Sequence, residues 1–129
     1  LKKNSTGICF VPRWARYPFE IWIVPYRRVP DIYSLSDDEK KDLAELIHNA
    51  SKRLDGVFDT SMPYTLAWQL SPRGYEDSHH FHLCFQPIRR SKTKLKYLAG
   101  VEQITGFFLV DLPPERSARI LLGEELPDE

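Results

Sequence analysis

A helix start signal followed by one long apolar stripe is the sequence feature that most constrains this fold. Ser36-Asp37-Asp38-Glu39 has the pattern of a capping box, in which the serine hydroxyl and the glutamate carboxylate satisfy free amides of the first turn. The apolar residues that follow recur at helical spacing and form a single stripe: Leu43, Leu46, Ile47, Ala50 and Leu54. The pattern predicts one amphipathic helix over about residues 37–54, ended by Asp55-Gly56. Because only one side of this helix is apolar, it has to cover another element.

Runs rich in β-branched and aromatic residues supply the element that the helix covers. Residues 7–11 and 20–24 each end at a proline and predict two strands, joined by an ordered, partly buried loop. Residues 64–70 and 79–87 alternate between large apolar and smaller or polar side chains, which predicts two more strands. We expect one face of each alternating strand against the helix: Tyr64, Leu66, Trp68 and Leu70 on the first, and Phe81, Leu83 and Phe85 on the second.

These elements predict a single α+β domain over residues 1–129, a mostly antiparallel sheet with the long helix packed on one face. A short helix opened by Pro113-Pro114-Glu115 completes it. The 18 basic and 18 acidic residues cancel, so no bulk charge draws the chain to nucleic acid or to a membrane surface. No stretch reaches the roughly 20 apolar residues of a membrane helix, and we expect a soluble, cytoplasmic protein. The chain begins at Leu1 rather than Met, and we expect it to be a piece of a longer protein.

The pair His80-Phe81-His82 is the main chemical signal. Two residues apart on a strand, both imidazoles project from one face, about 7 Å apart at the backbone. They are close enough to share a metal or an anion. Gln69 also lies off the large apolar face, whereas a regular strand would point His79 the other way. The alternative interpretation is that both histidines are partly exposed polar residues on the outer face of the sheet.

The two cysteines are far apart and indicate neither a disulfide framework nor a cysteine-rich zinc site. We expect Cys9 and Cys84 to be small buried hydrophobic residues. The sequence contains no glycine loop of Walker or dinucleotide type, no Gly-x-Ser-x-Gly elbow and no His-Glu-x-x-His helix, which disfavours those enzyme classes.

A basic cluster follows the last predicted strand: Arg89, Arg90, Lys92, Lys94 and Lys96. It can neutralise a phosphate or diphosphate, cradle RNA, or keep a loop solvated. RNA readers interleave such clusters with aromatics on an exposed strand face. Phe81 and Phe85 are instead expected in the core, so the residues favour a small anionic ligand over RNA.

Five segments, in order, resemble the galactose-1-phosphate uridylyltransferase family. Residues 10–20 (FVPRWARYPFE) are similar to the family's VPFWARWPFE segment, and residues 59–64 (DTSMPY) to ETSFPYS. The His-x-His pair, Arg90-Ser91 and residues 96–102 (KYLAGVE) follow in the family's order, so the resemblance covers about residues 8–122. It implies a histidine-triad-like fold and, of the family's two related α+β halves, the C-terminal one.

The resemblance implies that the chain is the C-terminal domain of a UDP-glucose:hexose-1-phosphate uridylyltransferase-like nucleotidyltransferase. The family moves UMP from UDP-glucose to galactose 1-phosphate through a histidine of the N-terminal half, in a His-Pro-His motif that this sequence lacks. We therefore expect no catalytic residue in this chain, and no activity without that half. Its expected roles are substrate contacts and an interdomain or dimer surface. The expected partners are a sugar nucleotide or sugar phosphate, the N-terminal half, and a second copy in a homodimer.

The site residues follow from the same resemblance. The substrate-binding positions correspond to Lys96, Tyr97, Val101 and Glu102, a cation for phosphate and a carboxylate for sugar hydroxyls, with Val101 in place of the family's tyrosine. Some members hold zinc or iron in the full-length enzyme. The metal pair corresponds to His80 and His82, but Gln69 replaces the histidine of the preceding strand. Two protein ligands hold such a metal weakly, so no secure cofactor is expected in this chain.

Two alternatives from other classes stay open. Residues 80–85 (HFHLCF) nearly reproduce the histidine-triad signature, with Cys84 in place of the third histidine. In a self-sufficient nucleotide hydrolase or transferase, His82 would be the nucleophile and the basic cluster its phosphate clamp. In the other alternative the chain is a noncatalytic sugar-nucleotide-binding module. The base and the sugar are not fixed by these residues.

Overall fold

Five strands form one antiparallel sheet in the computed structural model of the chain, which describes residues 1–128. The strands are β1 (Lys2–Lys3), β2 (Gly7–Phe10), β3 (Ile21–Pro25), β4 (Tyr64–Gln69) and β5 (His82–Pro87). The helices are α1 (Asp37–Val57), α2 (Gly100–Thr105) and α3 (Pro114–Leu122). The strand order is β1-β2-β3-β5-β4, with every neighbouring pair antiparallel. The predicted α+β fold class is confirmed. None of the helices within residues 1–128 is long and apolar enough to cross a membrane.

Helix α1 begins at the predicted capping box. The Ser36 hydroxyl accepts a hydrogen bond from the Glu39 amide at 3.2 Å, and the Glu39 carboxylate accepts one from the Ser36 amide at 2.7 Å. The predicted end is wrong, because the helix continues through Asp55-Gly56 to Val57. Val57 and Phe58 are both only 7% exposed. Burying two such side chains offsets the roughly 1 kcal/mol that a glycine costs inside a helix.

The core lies between α1 and one face of the sheet. The buried stripe of the helix consists of Leu43, Leu46, Ala50, Leu54 and Val57. The facing sheet residues include the predicted inward set Phe81, Leu83 and Phe85, all fully buried. Cys9 and Cys84 are buried free thiols, as predicted. Helix α3 adds Ile120 and Leu121 to the same core.

Strand β4 departs from the prediction that its large face packs against the helix. Leu66 is partly buried on the core, but Tyr64 and Trp68 stay 39% and 42% exposed and Leu70 lies beyond the end of the strand. Helix α1 packs mainly on β1, β2 and β3, whereas β4 is the edge strand on the opposite side of the sheet. The helix meets the start of β4, where the Tyr64 hydroxyl lies 3.3 Å from Ser51 Oγ.

The other face of the sheet is partly covered by the loop between β2 and β3. The Trp14 ring meets Trp22 of β3 edge-on, with ring centroids 5.3 Å apart. Glu20 is fully buried beneath the loop. Its carboxylate accepts hydrogen bonds from the Arg16 amide at 2.8 Å and from the Trp22 indole N–H at 2.8 Å. The carboxylate thus fixes the loop on the outer face, beside His82.

Candidate functional site

His82 and Gln69 are direct neighbours across the β4–β5 pair. Both side chains belong to the outer face, because their alternate neighbours Leu83 and Trp68 belong to the core-facing set. The His82 ring stacks on the Trp22 ring with centroids 4.3 Å apart and planes 17° apart. His82 is thereby held in one orientation against an aromatic surface.

The segment before β5 differs from the regular strand predicted from residue 79. The amide of Phe81 donates to the Val29 carbonyl at 2.8 Å, so this segment is bound to a remote loop and pairs with β4 only from His82 onward. The expectation that His79 points away is wrong: its ring centroid lies 6.0 Å from that of His82. A cavity of about 380 Å³ collects the three histidines His79, His80 and His82 with Phe10, Trp14, Trp22, Val24 and Ser78.

In each of the three histidines, one ring nitrogen is hydrogen-bonded to a backbone carbonyl. His79 Nε2 lies 2.8 Å from the Gln69 oxygen, His80 Nε2 lies 2.7 Å from the Pro25 oxygen, and His82 Nδ1 lies 2.9 Å from the His80 oxygen. A carbonyl only accepts, so these nitrogens carry the proton and, in the neutral ring, the other nitrogen keeps its lone pair. His82 Nε2 and His80 Nδ1 are therefore acceptors.

The same ring geometry orients metal-ligating histidines in proteins, with one N–H donated to a carbonyl. Within residues 1–128, however, no group of three histidine, cysteine, aspartate or glutamate side chains is placed to hold a metal ion. Gln69 brings an amide to the position facing His82, where an imidazole would supply a further nitrogen. These residues do not fit a self-contained zinc or iron site.

Cys84 lies on the outer face with His82, but its thiol is unreactive. Its thiol donates to Glu20 Oε1 at 3.4 Å. Burial, and next the Glu20 carboxylate, raise the pKa of the Cys84 thiol to about 12. The thiolate is the nucleophilic and metal-binding form, so Cys84 is inert at neutral pH.

A second group of residues lies around α2, a helix that the sequence analysis did not predict. Lys96 Nζ donates to Glu102 Oε1 at 3.1 Å and to the Leu109 carbonyl at 2.9 Å. The Glu102 carboxylate also accepts from the amides of Ala99 at 2.6 Å and Leu109 at 2.8 Å. The amides, and next Lys96, lower the pKa of Glu102 to about 2. We call this set of contacts the clasp, since it joins both ends of the segment 96–109.

The two charged residues that the resemblance assigns to substrate, Lys96 and Glu102, bind each other in the clasp. The side chains of Lys96 and Glu102 are only 6% and 1% exposed. Tyr97 and Val101, the other two assigned residues, are 81% and 47% exposed. The segment thus presents a tyrosine ring and an aliphatic side chain outward while its charges face inward.

The sequence does contain a signal for α2. Glu102 occupies the third helical position, where a carboxylate can reach back to the preceding amide, and Gly106 ends the helix with a positive φ of 72°. A helix of six residues is too short to show a helical repeat of apolar residues, and Ala99 at its N-cap gives no side-chain signal for its start.

The residues of the basic cluster have different surroundings. Arg89 pairs with Leu95 in an isolated bridge, and the Arg90 amide donates to the Lys94 carbonyl at 2.9 Å, which closes a turn. Arg90 forms an ion pair with Asp111, and Arg89 donates to the Lys92 carbonyl at 2.8 Å. We call residues 89–95 the basic turn. Lys92 and Lys94 are exposed.

Comparisons with known proteins identify relatives of this chain in sequence and in fold. The family model described as galactose-1-phosphate uridyl transferase, C-terminal domain, matches residues 2–128. A galactose-1-phosphate uridylyltransferase of Thermotoga maritima is 37% identical over an alignment of 122 residues, which covers 92% of this chain and 38% of that protein. A solved uridylyltransferase structure superimposes with a TM-score of 0.87 at 30% identity, over 95% of this chain and 40% of that one. A zinc-bound histidine triad family protein from Mycobacterium smegmatis shares the fold, with a TM-score of 0.65 at 14% identity, over 95% of this chain and 80% of that one.

Proposed function

The chain belongs to the galactose-1-phosphate uridylyltransferase family, as its C-terminal domain, and we propose that it works as that domain in a nucleotidyltransferase moving UMP between UDP-glucose and galactose 1-phosphate. The chain spans less than two-fifths of the length of the Thermotoga maritima relative. In our proposal the nucleotidyl-carrying histidine lies in the N-terminal half of the enzyme, and this domain supplies substrate contacts. The cytoplasm, where nucleotide sugars are handled, is the compartment we propose.

The observation that carries the proposal is the exposure pattern around the clasp. Tyr97 and Val101 stand on a segment whose ends are tied together by Lys96 and Glu102. A ring and an aliphatic side chain held in this way offer a preorganised apolar edge for a sugar or a base, since little freedom is lost on binding. We propose that Tyr97 and Val101 contact the sugar nucleotide directly, while Lys96 and Glu102 hold them in place from the buried side of the segment.

We propose that the partners of this domain are the N-terminal half and a second copy of the enzyme. Several large apolar side chains in the described chain are well exposed, among them Trp14 at 59%, Ile104 at 87% and Phe107 at 77%. Exposed apolar groups in this number are typical of surfaces that a partner covers. Trp14 lies beside the histidines, and the other two lie on and after α2. Trp14 is therefore suited to one interface, and Ile104 with Phe107 to another.

For the metal we propose a site completed from outside the chain. His80 and His82 have the protonation pattern of oriented ligands, but a zinc or iron site needs at least one further donor. The N-terminal half of the full-length enzyme is the source that we propose. Bound there, the metal would stabilise the junction of the two halves.

The experiment that tests the proposed function combines calorimetry with product analysis. The purified chain is titrated with UDP-glucose, UMP and galactose 1-phosphate, and the same samples are separated by chromatography. We expect weak binding of UDP-glucose, no product, and roughly tenfold weaker binding for Tyr97→Ala. Tyr33→Ala is the matched control, because this tyrosine is 85% exposed but lies before α1.

Other outcomes favour the alternatives. Product formation by the chain alone, lost in His82→Ala, would contradict the proposal that the chain needs the N-terminal half for activity. It would support the self-sufficient histidine-triad-like catalyst. UDP-glucose binding without product, even after fusion to the N-terminal part of the Thermotoga maritima relative, would support the noncatalytic module. Loss of binding in the Tyr33→Ala control would contradict the assignment of Tyr97 and Val101 as the residues that contact the ligand.

A further inference from the structure

Glu20 is a fully buried carboxylate at the end of the loop between β2 and β3, and its two oxygens face different parts of the domain. Oε2 accepts from the backbone amides of Arg16 at 2.8 Å and Tyr17 at 3.2 Å. Oε1 accepts from the Trp22 indole N–H at 2.8 Å and from the Cys84 thiol at 3.4 Å. Burying a carboxylate is costly, and these four donors offset the cost. One side chain thus holds the loop through one oxygen and the sheet through the other.

The backbone just before Glu20 has a conformation that aromatic residues rarely adopt. Phe19 has a φ of 61°, which lies in the left-handed region. Its side chain is buried, and its amide donates to the Ser117 hydroxyl of α3 at 3.1 Å. Strained positions persist where the surrounding structure fixes them, and they cluster near functional sites. The end of the loop is therefore held from two directions, by α3 at Phe19 and by the four donors at Glu20.

The two residues whose amides bind Oε2 pack against the segment 96–109, which carries the proposed sugar-nucleotide contacts. The Tyr17 ring centroid lies 5.8 Å from that of Phe108, and the Arg16 guanidinium lies 5.3 Å from the same Phe108 ring. Lys96 of the clasp lies over the Tyr17 ring at 5.8 Å. Both cations lie within the roughly 6 Å at which a cation is attracted to the face of an aromatic ring. The buried carboxylate therefore fixes the part of the loop on which the segment packs.

The indole that binds Oε1 is a wall of the cavity of about 380 Å³ that the three histidines line, which we call the histidine cavity. The Trp22 ring stacks on His82, and Trp14 of the loop meets the Trp22 ring edge-on. The hydrogen bond to Glu20 fixes the indole in this orientation. The same carboxylate thus sets the position of the segment 96–109 relative to the histidine cavity.

We propose that Glu20 is a positioning residue for substrate contact. Its carboxylate holds Arg16 and Tyr17 against the segment 96–109 and so places Tyr97 and Val101 for the sugar nucleotide. Glu20 touches no ligand, because it is fully buried and acts through the loop. The proposal rests on the proposed function for the identity of the ligand, whereas the placement of the segment can be tested on the chain alone.

The test compares Glu20→Gln with Glu115→Gln by NMR of the ligand-free chain and by calorimetric titration with UDP-glucose. A carboxamide accepts at only one of its two heavy atoms and donates at the other, so Glu20→Gln cannot satisfy both sets of donors. We expect shifted backbone amide resonances in the segment 96–109, a shifted indole N–H resonance of Trp22, and roughly tenfold weaker binding of UDP-glucose. Glu115→Gln is the matched control, since it removes the same charge from an exposed position in the first turn of α3 and should change none of these.

Two further variants separate positioning from a general loss of stability. Phe108→Leu removes the ring on which the loop packs and leaves the hydrogen bonds of Glu20 in place. It should weaken UDP-glucose and leave the Trp22 indole resonance unchanged, and it tests the placement even if Glu20→Gln does not fold. Leu43→Val trims a buried side chain of α1 next to Asp42, which binds the Thr6 hydroxyl before β2. It should lower the urea midpoint without weakening UDP-glucose.

Three results would overturn the proposal. In the first, Glu20→Gln keeps its UDP-glucose affinity while Tyr97→Ala still loses it, which would leave the proposed function standing. In the second, the resonance shifts of Glu20→Gln do not extend to the segment 96–109. In the third, Leu43→Val loses as much affinity as Glu20→Gln, so that binding follows overall stability. Absence of UDP-glucose binding by the unaltered chain would contradict the proposed function instead, and the resonance shifts would then decide whether Glu20 places the segment.

Discussion

Phe81 and His82 are adjacent in the chain and face opposite sides of the sheet, so replacing each by alanine tests the face assignment. Phe81 is fully buried in the core and stacks on Trp68 at a centroid distance of 6.0 Å. His82 is only partly buried and contacts the outer face. The substitution Phe81→Ala should destabilise the chain strongly, whereas His82→Ala should leave it folded.

The two magnitudes can be worked out from the contacts. A buried phenylalanine replaced by alanine loses about 3–5 kcal/mol of unfolding free energy. His82→Ala loses one stacked pair, about 0.5–1.5 kcal/mol, and one neutral hydrogen bond, about 0.5–1.5 kcal/mol, and therefore about 1–3 kcal/mol in sum. With a urea m-value of about 2 kcal/mol per molar, the midpoints fall by about 1.5–2.5 M and about 0.5–1.5 M respectively.

The assay is urea unfolding followed by circular dichroism, with tryptophan fluorescence as a second probe of the same transition. Phe81→Leu is the control, because a substitution that keeps most of the volume costs less than about 1.5 kcal/mol. A larger loss for His82→Ala than for Phe81→Ala would refute the reasoning, since it would place the imidazole rather than the phenyl ring in the core.

Three further predictions concern the metal pair, the clasp and the thiols. The chain alone should bind Zn²⁺ weakly by calorimetry, and Gln69→His should tighten binding at least roughly tenfold by adding a third imidazole next to His82; unchanged affinity would contradict the placement of Gln69. Because Glu102 has its pKa lowered in the folded chain from 4.5 to about 2, its stabilising contribution is present above pH 4.5 and is lost as the pH falls toward 2. Glu102→Gln should therefore reduce the change in the urea midpoint between pH 5 and pH 2.5, and an unaltered pH profile would argue against the clasp. Burial raises the pKa of Cys9 to about 11 and, together with Glu20, that of Cys84 to about 12, so both thiols should resist a disulfide reagent at pH 8 until the chain is unfolded; fast labelling of the folded chain would contradict their burial.

The elements that sequence predicted well are those whose signal is local and repeated. Helix α1 carries about four turns of one apolar stripe and a capping box, so its start and its buried face are confirmed. The inward set of β5 was predicted from alternation alone. The short helix α3 was predicted from its two prolines and confirmed at Pro114. Strand bounds differ by only one residue at β2 and β3, which is the usual uncertainty of element ends.

The parts that sequence missed depend on contacts between residues far apart in the chain. His79 lies in the histidine cavity because Phe81 is bound to the carbonyl of Val29, 52 positions earlier, which alternation along residues 79–87 cannot reveal. Strand β4 is exposed because it is an edge strand of the sheet, and the order of strands cannot be predicted from the residues of one strand. The site residues were named by resemblance, and their burial could not be read from their identity.

The burial of the clasp determines which side chains of the segment 96–109 a ligand can reach without breaking hydrogen bonds. A ligand that took Glu102 for its hydroxyls would have to displace the amides of Ala99 and Leu109, and each buried amide left unpaired costs about 1–3 kcal/mol. It would also separate Glu102 from the ammonium of Lys96 in a place where both side chains are nearly inaccessible. Contact through Tyr97 has no such cost, because that ring is already exposed. In the proposed function a ligand would therefore meet Tyr97 and Val101 first, and a direct contact with Glu102 would require the segment to open.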